Sequence, residues 1–186
     1  MRKIVIVFSG PSGAGKSTLI SYLLDNYQNA GLTVSHTTRK PRIGERNGGD
    51  YYYVSKNEFQ DMVNADEFIE YVTCYGNMYG TSKKSIELVL KHKNICILDL
   101  DYEGAYKVLE TNLLPYECFG ILVLPPSIET LKRRLIARHS ENEHELTIRL
   151  NNSFSVNLIA NYEHVIINDD LEMSKQHINK ILSAFS

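Results

Sequence analysis

Four short runs of consecutive apolar residues, many of them β-branched, are separated by longer stretches in which apolar residues recur every three or four positions. Runs of this kind are typical of parallel strands covered on both faces, and the longer period is that of amphipathic helices. The predicted strands are Ile4–Phe8, Ile95–Leu98, Phe119–Leu124 and Val165–Ile167. The predicted helices are 16–29, 82–92, 102–111, 127–139, 141–159 and 171–185. This alternation predicts an α/β fold with a parallel sheet flanked by helices.

The segment from about Thr33 to Tyr79 has a different pattern and is rich in tyrosine, threonine, arginine and glycine. Apolar and polar residues alternate at 51–54 and 68–72, which indicates strands. An Asn-Gly-Gly-Asp turn signal precedes the first of them, and Ser55 with Glu58 matches a helix capping box. The segment therefore predicts a small, partly antiparallel β unit with one short helix, inserted into the parallel-sheet core.

The overall composition is that of an ordinary globular protein, because 43% of the 186 residues are hydrophobic and 23% are charged. Twenty Lys and Arg against 22 Asp and Glu leave a net charge of −2, so no global basic field favours nucleic acid. The longest apolar runs, about ten residues, are too short to cross a bilayer, and the basic N-terminus lacks a signal-peptide core. These features predict one cytoplasmic domain that binds neither nucleic acid nor membrane; they specify no oligomeric state.

The three cysteines and six histidines show no arrangement that binds a metal. Cys74, Cys96 and Cys118 include no CxxC pair, and their odd number does not fit a disulfide framework. Cys96 and Cys118 lie in apolar runs, where a thiol behaves as a small buried hydrophobic group. We expect reduced cysteines and neither a zinc site nor a disulfide.

The sequence at 10–17, GPSGAGKS, fits the phosphate-loop pattern GxxxxGK[ST]. It follows a predicted strand and opens a predicted helix, which is the context that the pattern requires. Glycines let main-chain N–H groups turn towards a phosphate, and the helix N-terminus adds partial positive charge. Lys16 then reaches the β- and γ-phosphates, and the Ser17 hydroxyl can bind Mg²⁺. The residues predicted to bind a nucleoside triphosphate are Gly10, Pro11, Ser12, Gly13, Ala14, Gly15, Lys16, Ser17 and Thr18.

Two arginines, Arg39 and Arg42, stand three residues apart across a proline and are followed by a tyrosine-rich segment. A guanidinium group binds a phosphate through two parallel hydrogen bonds, which the point charge of a lysine cannot do. Taken alone, the arginines fit a solvated basic loop better. The phosphate loop elsewhere in the chain favours an acceptor site, because a phosphoryl transferase must also hold its acceptor.

Glu70 stands in an otherwise apolar run, where burial of a carboxylate without partners is costly. One carboxylate can accept hydrogen bonds from both N1–H and N2–H of guanine, a pair of donors that adenine lacks. A site of this kind discriminates strongly between bases. From this residue alone, a position on the exposed face of the strand is the stronger alternative.

Six segments, in order, resemble guanylate kinases, the enzymes that phosphorylate GMP at the expense of ATP. The segments are GPSGAGKST (10–18), SHTTRKPRIGERNGGDYYYVS (35–55), EFIEY (67–71), GNMYGTS (76–82), ILDLD (97–101) and VIINDDLE (165–172). The resemblance covers essentially the whole chain. It implies a P-loop core with a parallel sheet, an inserted mixed β/α GMP-binding domain and a helical lid. The corresponding ranges are 1–33, 94–126 and 160–186 for the core, 34–93 for the insert, and 127–159 for the lid and flanking helices.

The resemblance also implies roles for particular residues. The implied contacts of the GMP phosphate are Arg39, Arg42, Tyr51 and Tyr79, and those of guanine are Ser35, Glu70, Thr81 and Asp101. Asn168 is implied to lie near the adenine of ATP. The residues implied to act in catalysis are Lys16, Arg39, Arg134, Arg138 and Arg149. The implied cofactor is Mg²⁺ with ATP as phosphoryl donor, bound by Ser17 and, directly or through water, by Asp99.

Spacing supports part of this assignment. Asp99 and Asp101 are two residues apart at the end of a predicted strand and so share a face, although strand-end carboxylates that cap helices are an alternative for Asp99. Arg134 and Arg138 are four apart and share a helix face. After the second arginine this chain has His139-Ser140 where the family commonly has Gly-Thr, so we expect lid closure to differ here.

Two other functions are compatible with the pattern. A catalytically inactive relative that binds phosphorylated peptides in the GMP pocket would be expected to lack the P-loop lysine or the lid arginines, and this chain has both. A kinase for another phosphate acceptor is disfavoured by Ser35, Glu70 and Thr81, which suit guanine. Activity with a panel of nucleoside monophosphates separates these readings.

Overall fold

The structure is a computed structural model that describes residues 2–74, 76–111, 114–137 and 162–185. The strands are β1 (Ile4–Ser9), β2 (Ala30–Leu32), β3 (His36–Thr37), β4 (Tyr52–Tyr53), β5 (Phe68–Cys74), β6 (Asn77–Ser82), β7 (Ile95–Asp99), β8 (Glu117–Leu124) and β9 (His164–Ile167). The helices are α1 (Lys16–Asn26), α2 (Lys56–Asn64), α3 (Lys83–His92), α4 (Tyr102–Thr111), α5 (Ile128–Ala137) and α6 (Leu171–Ser183). The helix predicted at 141–159 lies outside the described residues.

The core is a five-stranded sheet in the order β2-β7-β1-β8-β9, and every neighbouring pair of strands is parallel. The predicted α/β fold is therefore confirmed. Strand β1 lies in the centre, and all six of its residues are buried, as its continuous apolar sequence requires. Edge strand β2 was not predicted, and α1 ends at Asn26 rather than 29. Tyr27 is extended there and begins the turn into β2.

The two faces of the core sheet are packed by different helices, because successive side chains of a strand point to opposite faces. Ile4, Ile6 and Phe8 of β1 pack in a cluster with residues of α1 and α6. Val5 and Val7 pack in a second cluster with residues of α3 and α4. Each fully buried aliphatic side chain contributes about 1.5–3 kcal/mol. Cys96 is buried as expected, whereas Cys118 is only half-buried.

The insert forms a separate four-stranded sheet in the order β4-β3-β6-β5. Strand β6 pairs antiparallel with β3 and β5, and β3 pairs parallel with β4, so the predicted mixed character is confirmed. The predicted capping box starts α2: Ser55 Oγ accepts from the Glu58 main chain, and Glu58 accepts from that of Ser55. Phe59 stacks on Phe68 at 4.6 Å between ring centroids and gives this sheet a small core.

None of the helices in the described part of the chain has the length and apolar character needed to cross a membrane.

His36 on β3 is enclosed by aromatic rings. Its imidazole stacks on Tyr52 at 4.8 Å and meets Phe68 edge-on at 5.6 Å between ring centroids. No described residue hydrogen-bonds to its buried Nδ1. Burial lowers the pKa of His36, and the negative charge of Glu67 opposes this shift. The folded protein therefore favours the neutral imidazole.

We expect acid to destabilise the fold through this histidine. Below about pH 6.5 His36 binds a proton more readily in the unfolded chain than in the folded protein. The free energy of unfolding therefore falls as the pH decreases. Urea titrations at pH 7 and pH 5 should show a larger loss for the wild type than for His36→Phe. His177→Phe, at an exposed histidine of α6, serves as control and should match the wild type. Equal losses in the wild type and His36→Phe would contradict the argument.

Candidate active site

The chain leaves β1 and wraps into the phosphate loop before α1 begins. Gly15, the residue before α1, has a φ of +99°, and a Cβ at this position would collide with the side-chain amide nitrogen of Asn168. Only glycine fits both conditions. The ammonium group of Lys16 donates to the carbonyl of Gly10 at 2.7 Å and to that of Pro11 at 3.4 Å. The loop therefore holds its lysine close to its own main chain.

Three side chains from distant parts of the chain hold the loop from behind, and we call Arg134, Asn168 and Ser174 the loop clamp. Asn168 follows β9, is 5% exposed and donates from Nδ2 to the carbonyl of Ala14 at 2.8 Å. Its Oδ1 accepts from Ser174 Oγ at 3.0 Å. Arg134 donates to the carbonyls of Asn168 at 2.8 Å and Ala14 at 3.4 Å. The clamp ties the loop to α5 and α6.

A cavity of about 360 Å³ lies beside the phosphate loop and the clamp. Its lining residues are Gly13, Gly15, Thr18, Arg134, Ala137, Asn168, Asp169 and Leu171. The structure thus brings Arg134 and Asn168 next to the loop residues predicted to bind ATP. Both polar groups of the Asn168 side chain are engaged within the protein, so in this structure the side chain supports the loop.

At the carboxyl end of β7, Asp99 interacts electrostatically with the phosphate loop and with the insert. The Asp99 residue keeps part of its surface open to solvent, yet the protein atoms packed around its carboxyl desolvate it and raise its pKa, and the charge of Lys16 opposes that shift. Burial raises the pKa of Tyr51 in the insert, and the charge of Asp99 adds to this effect. Asp99 therefore interacts electrostatically with both Lys16 and Tyr51. Asp101, two residues beyond Asp99, accepts from the main chain of Gly104 at 2.8 Å.

Four residues of the insert form an arginine–tyrosine cluster, which we define as Arg39, Tyr51, Tyr53 and Tyr79. The Arg39 guanidinium carbon lies 5.5 Å from the ring centroid of Tyr51 and 5.8 Å from that of Tyr53. Tyr79 meets Tyr51 edge-on at 6.1 Å between centroids. Three of the four predicted phosphate contacts are therefore together. The fourth, Arg42, is exposed beside the cluster.

Glu45 contacts two members of this cluster, and sequence reasoning missed it. It accepts two hydrogen bonds from the Arg39 guanidinium, both at 2.9 Å, and one from the main chain of Arg42 at 2.7 Å. The Tyr53 hydroxyl donates to it at 2.7 Å. The available signal was its position as the one acidic residue in the basic run 39–46.

The residues predicted to contact guanine also lie together. Glu70 is 5% exposed, so the exposed-face alternative is wrong. Burial raises the pKa of Glu70 to about 7; the charge of Asp101 adds to the shift, and hydrogen bonds from Thr81 oppose it. Ser35 and Thr81 share a hydrogen bond of 3.2 Å between their hydroxyls. A Cβ on Gly104 would lie 2.7 Å from Glu70 Oε2, so the α4 backbone packs directly against this carboxylate.

Of the arginines assigned to the lid, Arg134 is described, and Arg138 and Arg149 lie outside the described residues, as does His139-Ser140.

The parallel sheet, the loop and the neighbouring insert define a P-loop nucleotide-binding protein. The family model described as Guanylate kinase matches residues 1–185. Guanylate kinases of Clostridium perfringens (strain SM101) and Clostridium tetani are 40% and 42% identical over 184 and 183 residues; the matches cover 98% and 97% of this chain and 84% and 86% of theirs. A crystal structure of guanylate kinase from Anaplasma phagocytophilum matches with a TM-score of 0.73 and 30% identity over 98% of this chain and 86% of that one. The chain belongs to the guanylate kinase family and is a phosphotransferase.

We expect the clamp to control affinity for ATP. Ser174→Ala removes a donor to Asn168, and a buried polar group left without a partner costs about 1–3 kcal/mol. The KM for ATP should rise about five- to tenfold as the loop loosens, while the KM for GMP stays within about twofold of the wild type. Ser183→Ala is the control, because that hydroxyl of the same helix donates to the Lys180 carbonyl at the surface. Equal changes in both KM values would argue against a clamp specific to the loop.

Proposed function

We propose that the protein transfers the γ-phosphate of ATP to GMP or dGMP, with ATP on the phosphate loop and GMP in the insert. The observation that carries this proposal is the buried carboxylate of Glu70 beside Ser35, Thr81 and Asp101. A buried acceptor of this kind matches the paired N–H donors of guanine and leaves adenine with an unpaired carboxylate opposite it.

The proposed division into domains follows the two sheets. All strands of the parallel sheet fall in the core segments 1–33, 94–126 and 160–186, and all strands of the mixed sheet fall in the insert 34–93. Helix α3 joins the two units, because Ile86 and Leu90 pack in the core cluster. The lid and its flanking helices are assigned to 127–159, of which α5 is the described part.

Phosphoryl transfer requires in-line positioning and neutralisation of charge more than covalent help from the protein. In the proposed mechanism, Arg39, Arg42, Tyr51 and Tyr79 orient the GMP phosphate, whose oxygen is the nucleophile. This oxygen is already ionised at neutral pH, so the protein needs no general base. Lys16 belongs to the loop that would hold the transferring phosphate, and Arg134 donates to the main chain of that loop. Arg138 and Arg149 are proposed to complete the neutralisation and, with lid closure, to exclude water.

Ser17 and Asp99 are the proposed protein ligands of Mg²⁺. Both are solvent-exposed and supply oxygen donors near Lys16. Within the described residues no group of three or more His, Cys, Asp or Glu side chains could hold a metal; Mg²⁺ in such enzymes commonly uses one or two protein ligands together with substrate phosphates and water. The bound ion would supply charge neutralisation at the phosphate oxygens. A cytoplasmic location, and the lack of nucleic-acid and membrane partners, remain predictions.

The decisive measurement is ADP formation with GMP, dGMP, AMP, CMP and UMP as acceptors. We expect turnover with GMP and dGMP and a kcat/KM at least about 10³-fold lower with the others. Lys16→Ala should lower kcat by at least about 10²-fold, because the transferring phosphate loses a charged contact. Lys91→Ala, at an exposed position of α3, is the control. AMP turnover equal to that of GMP would refute the substrate assignment, and full activity of Lys16→Ala would refute the role of the loop.

Binding of the guanine base should release a proton. Below pH 7 the Glu70 carboxyl of the empty protein is mostly protonated, whereas accepting two N–H donors requires the carboxylate. Guanosine is the suitable probe, since it lacks the phosphate that titrates near pH 6. Its affinity should fall about eightfold between pH 7.5 and pH 6, from a single proton competing with a pKa near 7.

Calorimetry in buffers of different ionisation enthalpy measures this proton directly. Glu70→Gln should abolish the pH dependence and weaken the preference for GMP over AMP, because an amide cannot accept from both guanine donors through two equivalent oxygens. Glu67→Gln, at an exposed position three residues earlier, is the matched control. If guanosine affinity stays constant with pH in the wild type, Glu70 does not recognise the base in the way proposed.

A further inference from the structure

One carboxylate organises the arginine–tyrosine cluster. Glu45 Oε1 accepts from Arg39 Nη2, and Glu45 Oε2 accepts from Arg39 Nη1, the main chain of Arg42 and the Tyr53 hydroxyl. All four bonds are between 2.7 and 2.9 Å. Glu45 thus fixes the side chain of one phosphate-binding arginine and the main chain of the other.

These bonds engage the Nη1–Nη2 end of the Arg39 guanidinium and leave the edge that carries Nε–H unused. A guanidinium has five N–H donors in one plane. Two on Nη1 and one on Nη2 go to the Lys40 carbonyl and to Glu45. No described residue accepts from Nε–H or from the second Nη2–H. These two donors form a parallel pair along one edge, which is the geometry that binds two oxygens of a phosphate.

The charge of Glu45 is fixed by the same contacts. The hydrogen bonds from Arg39 lower the pKa of Glu45 to about 2, and those from the Arg42 main chain and Tyr53 act in the same direction. Glu45 therefore remains a carboxylate across the physiological range. Glu45 offsets one of the two positive charges of Arg39 and Arg42, so its net electrostatic effect on a bound phosphate is unfavourable.

We propose that Glu45 is a positioning residue for the acceptor phosphate: it holds Arg39 with the Nε edge available and fastens the Arg42 segment beside it, with Tyr53 as its support. The inference rests on the proposed function, because it assumes that this cluster receives the phosphate of GMP. A positioning effect of Glu45 and an effect of its charge predict opposite results. If charge alone matters, removal of the negative charge strengthens phosphate binding; if orientation matters, the same change weakens it.

The test compares GMP with guanosine, which differ by the phosphate alone. Calorimetric titrations should show a Kd for GMP raised at least about tenfold in Glu45→Gln, while the Kd for guanosine and the KM for ATP stay within about twofold. Tyr53→Phe, which keeps both charges, should raise the Kd for GMP about two- to fivefold by releasing one hydrogen bond. Steady-state kinetics should place the effect in the KM for GMP.

The control is Glu58→Gln, a matched substitution in the same insert. Glu58 caps α2 through the Ser55 main chain, so this variant should lower the unfolding temperature without changing the ratio of GMP to guanosine affinity. A merely structural role for Glu45 would give the same pattern as this control.

Three outcomes overturn the proposal: unchanged GMP binding in Glu45→Gln, tighter GMP binding, or equal loss of GMP and guanosine. If Glu45→Gln does not fold, the ratio measured for Tyr53→Phe decides, since an unchanged ratio there also rejects the inference. Failure of the proposed function is distinguishable. If the proposed function is wrong, the wild type does not phosphorylate GMP. If only the role of Glu45 is wrong, the wild type is active and the variants alone contradict the assignment.

Discussion

Transfer of a phosphate between two nucleotides requires two anionic groups to be held close together, although each repels the other and water competes for the transferred group. The structure meets this constraint with hydrogen-bond donors and positive charges from two separate sheets. The charge of Lys16 reaches Asp99, and the charge of Asp99 reaches Tyr51, which lies beside Arg39. Asp99 thus interacts electrostatically with a residue of the phosphate loop and with a residue of the arginine–tyrosine cluster, which is the arrangement that the proposed transfer needs.

The parallel sheet explains why these groups meet. Its strand interiors are apolar and buried, so the polar residues that follow them collect at one edge, where the carboxyl ends of parallel strands lie side by side. Strand β1 leads into the phosphate loop, β7 ends at Asp99, and Asn168 follows β9. Asn168 then returns to the loop through the carbonyl of Ala14, 154 residues away. The same edge thus supplies the loop, the carboxylate and the clamp.

The sequence predicted the parts of this arrangement that depend on local chemistry. The phosphate loop was readable because its glycines, lysine and flanking elements are contiguous, and the capping box at Ser55 for the same reason. Strand β2 was missed because three residues without a β-branched side chain become a strand only by pairing with β7. Glu70 fitted both a buried and an exposed position until the packing of Gly104 against it was known. Glu45 was not singled out, since its partners are specified by loop geometry.

Glu45 and Glu70 show how one small sheet assigns opposite properties to the same side chain. Hydrogen bonds from Arg39 hold the pKa of Glu45 at about 2, whereas burial raises that of Glu70 to about 7. The first carboxylate is charged across the physiological range, whereas the second exchanges its proton near neutral pH and becomes fully charged when donors arrive opposite it. The cluster around Glu45 is therefore organised before a ligand binds, while the Glu70 carboxyl becomes fully charged together with the binding of its ligand. Guanine offers two N–H donors to that carboxylate, whereas adenine leaves it unpaired, which gives the pocket a physical reason to discriminate.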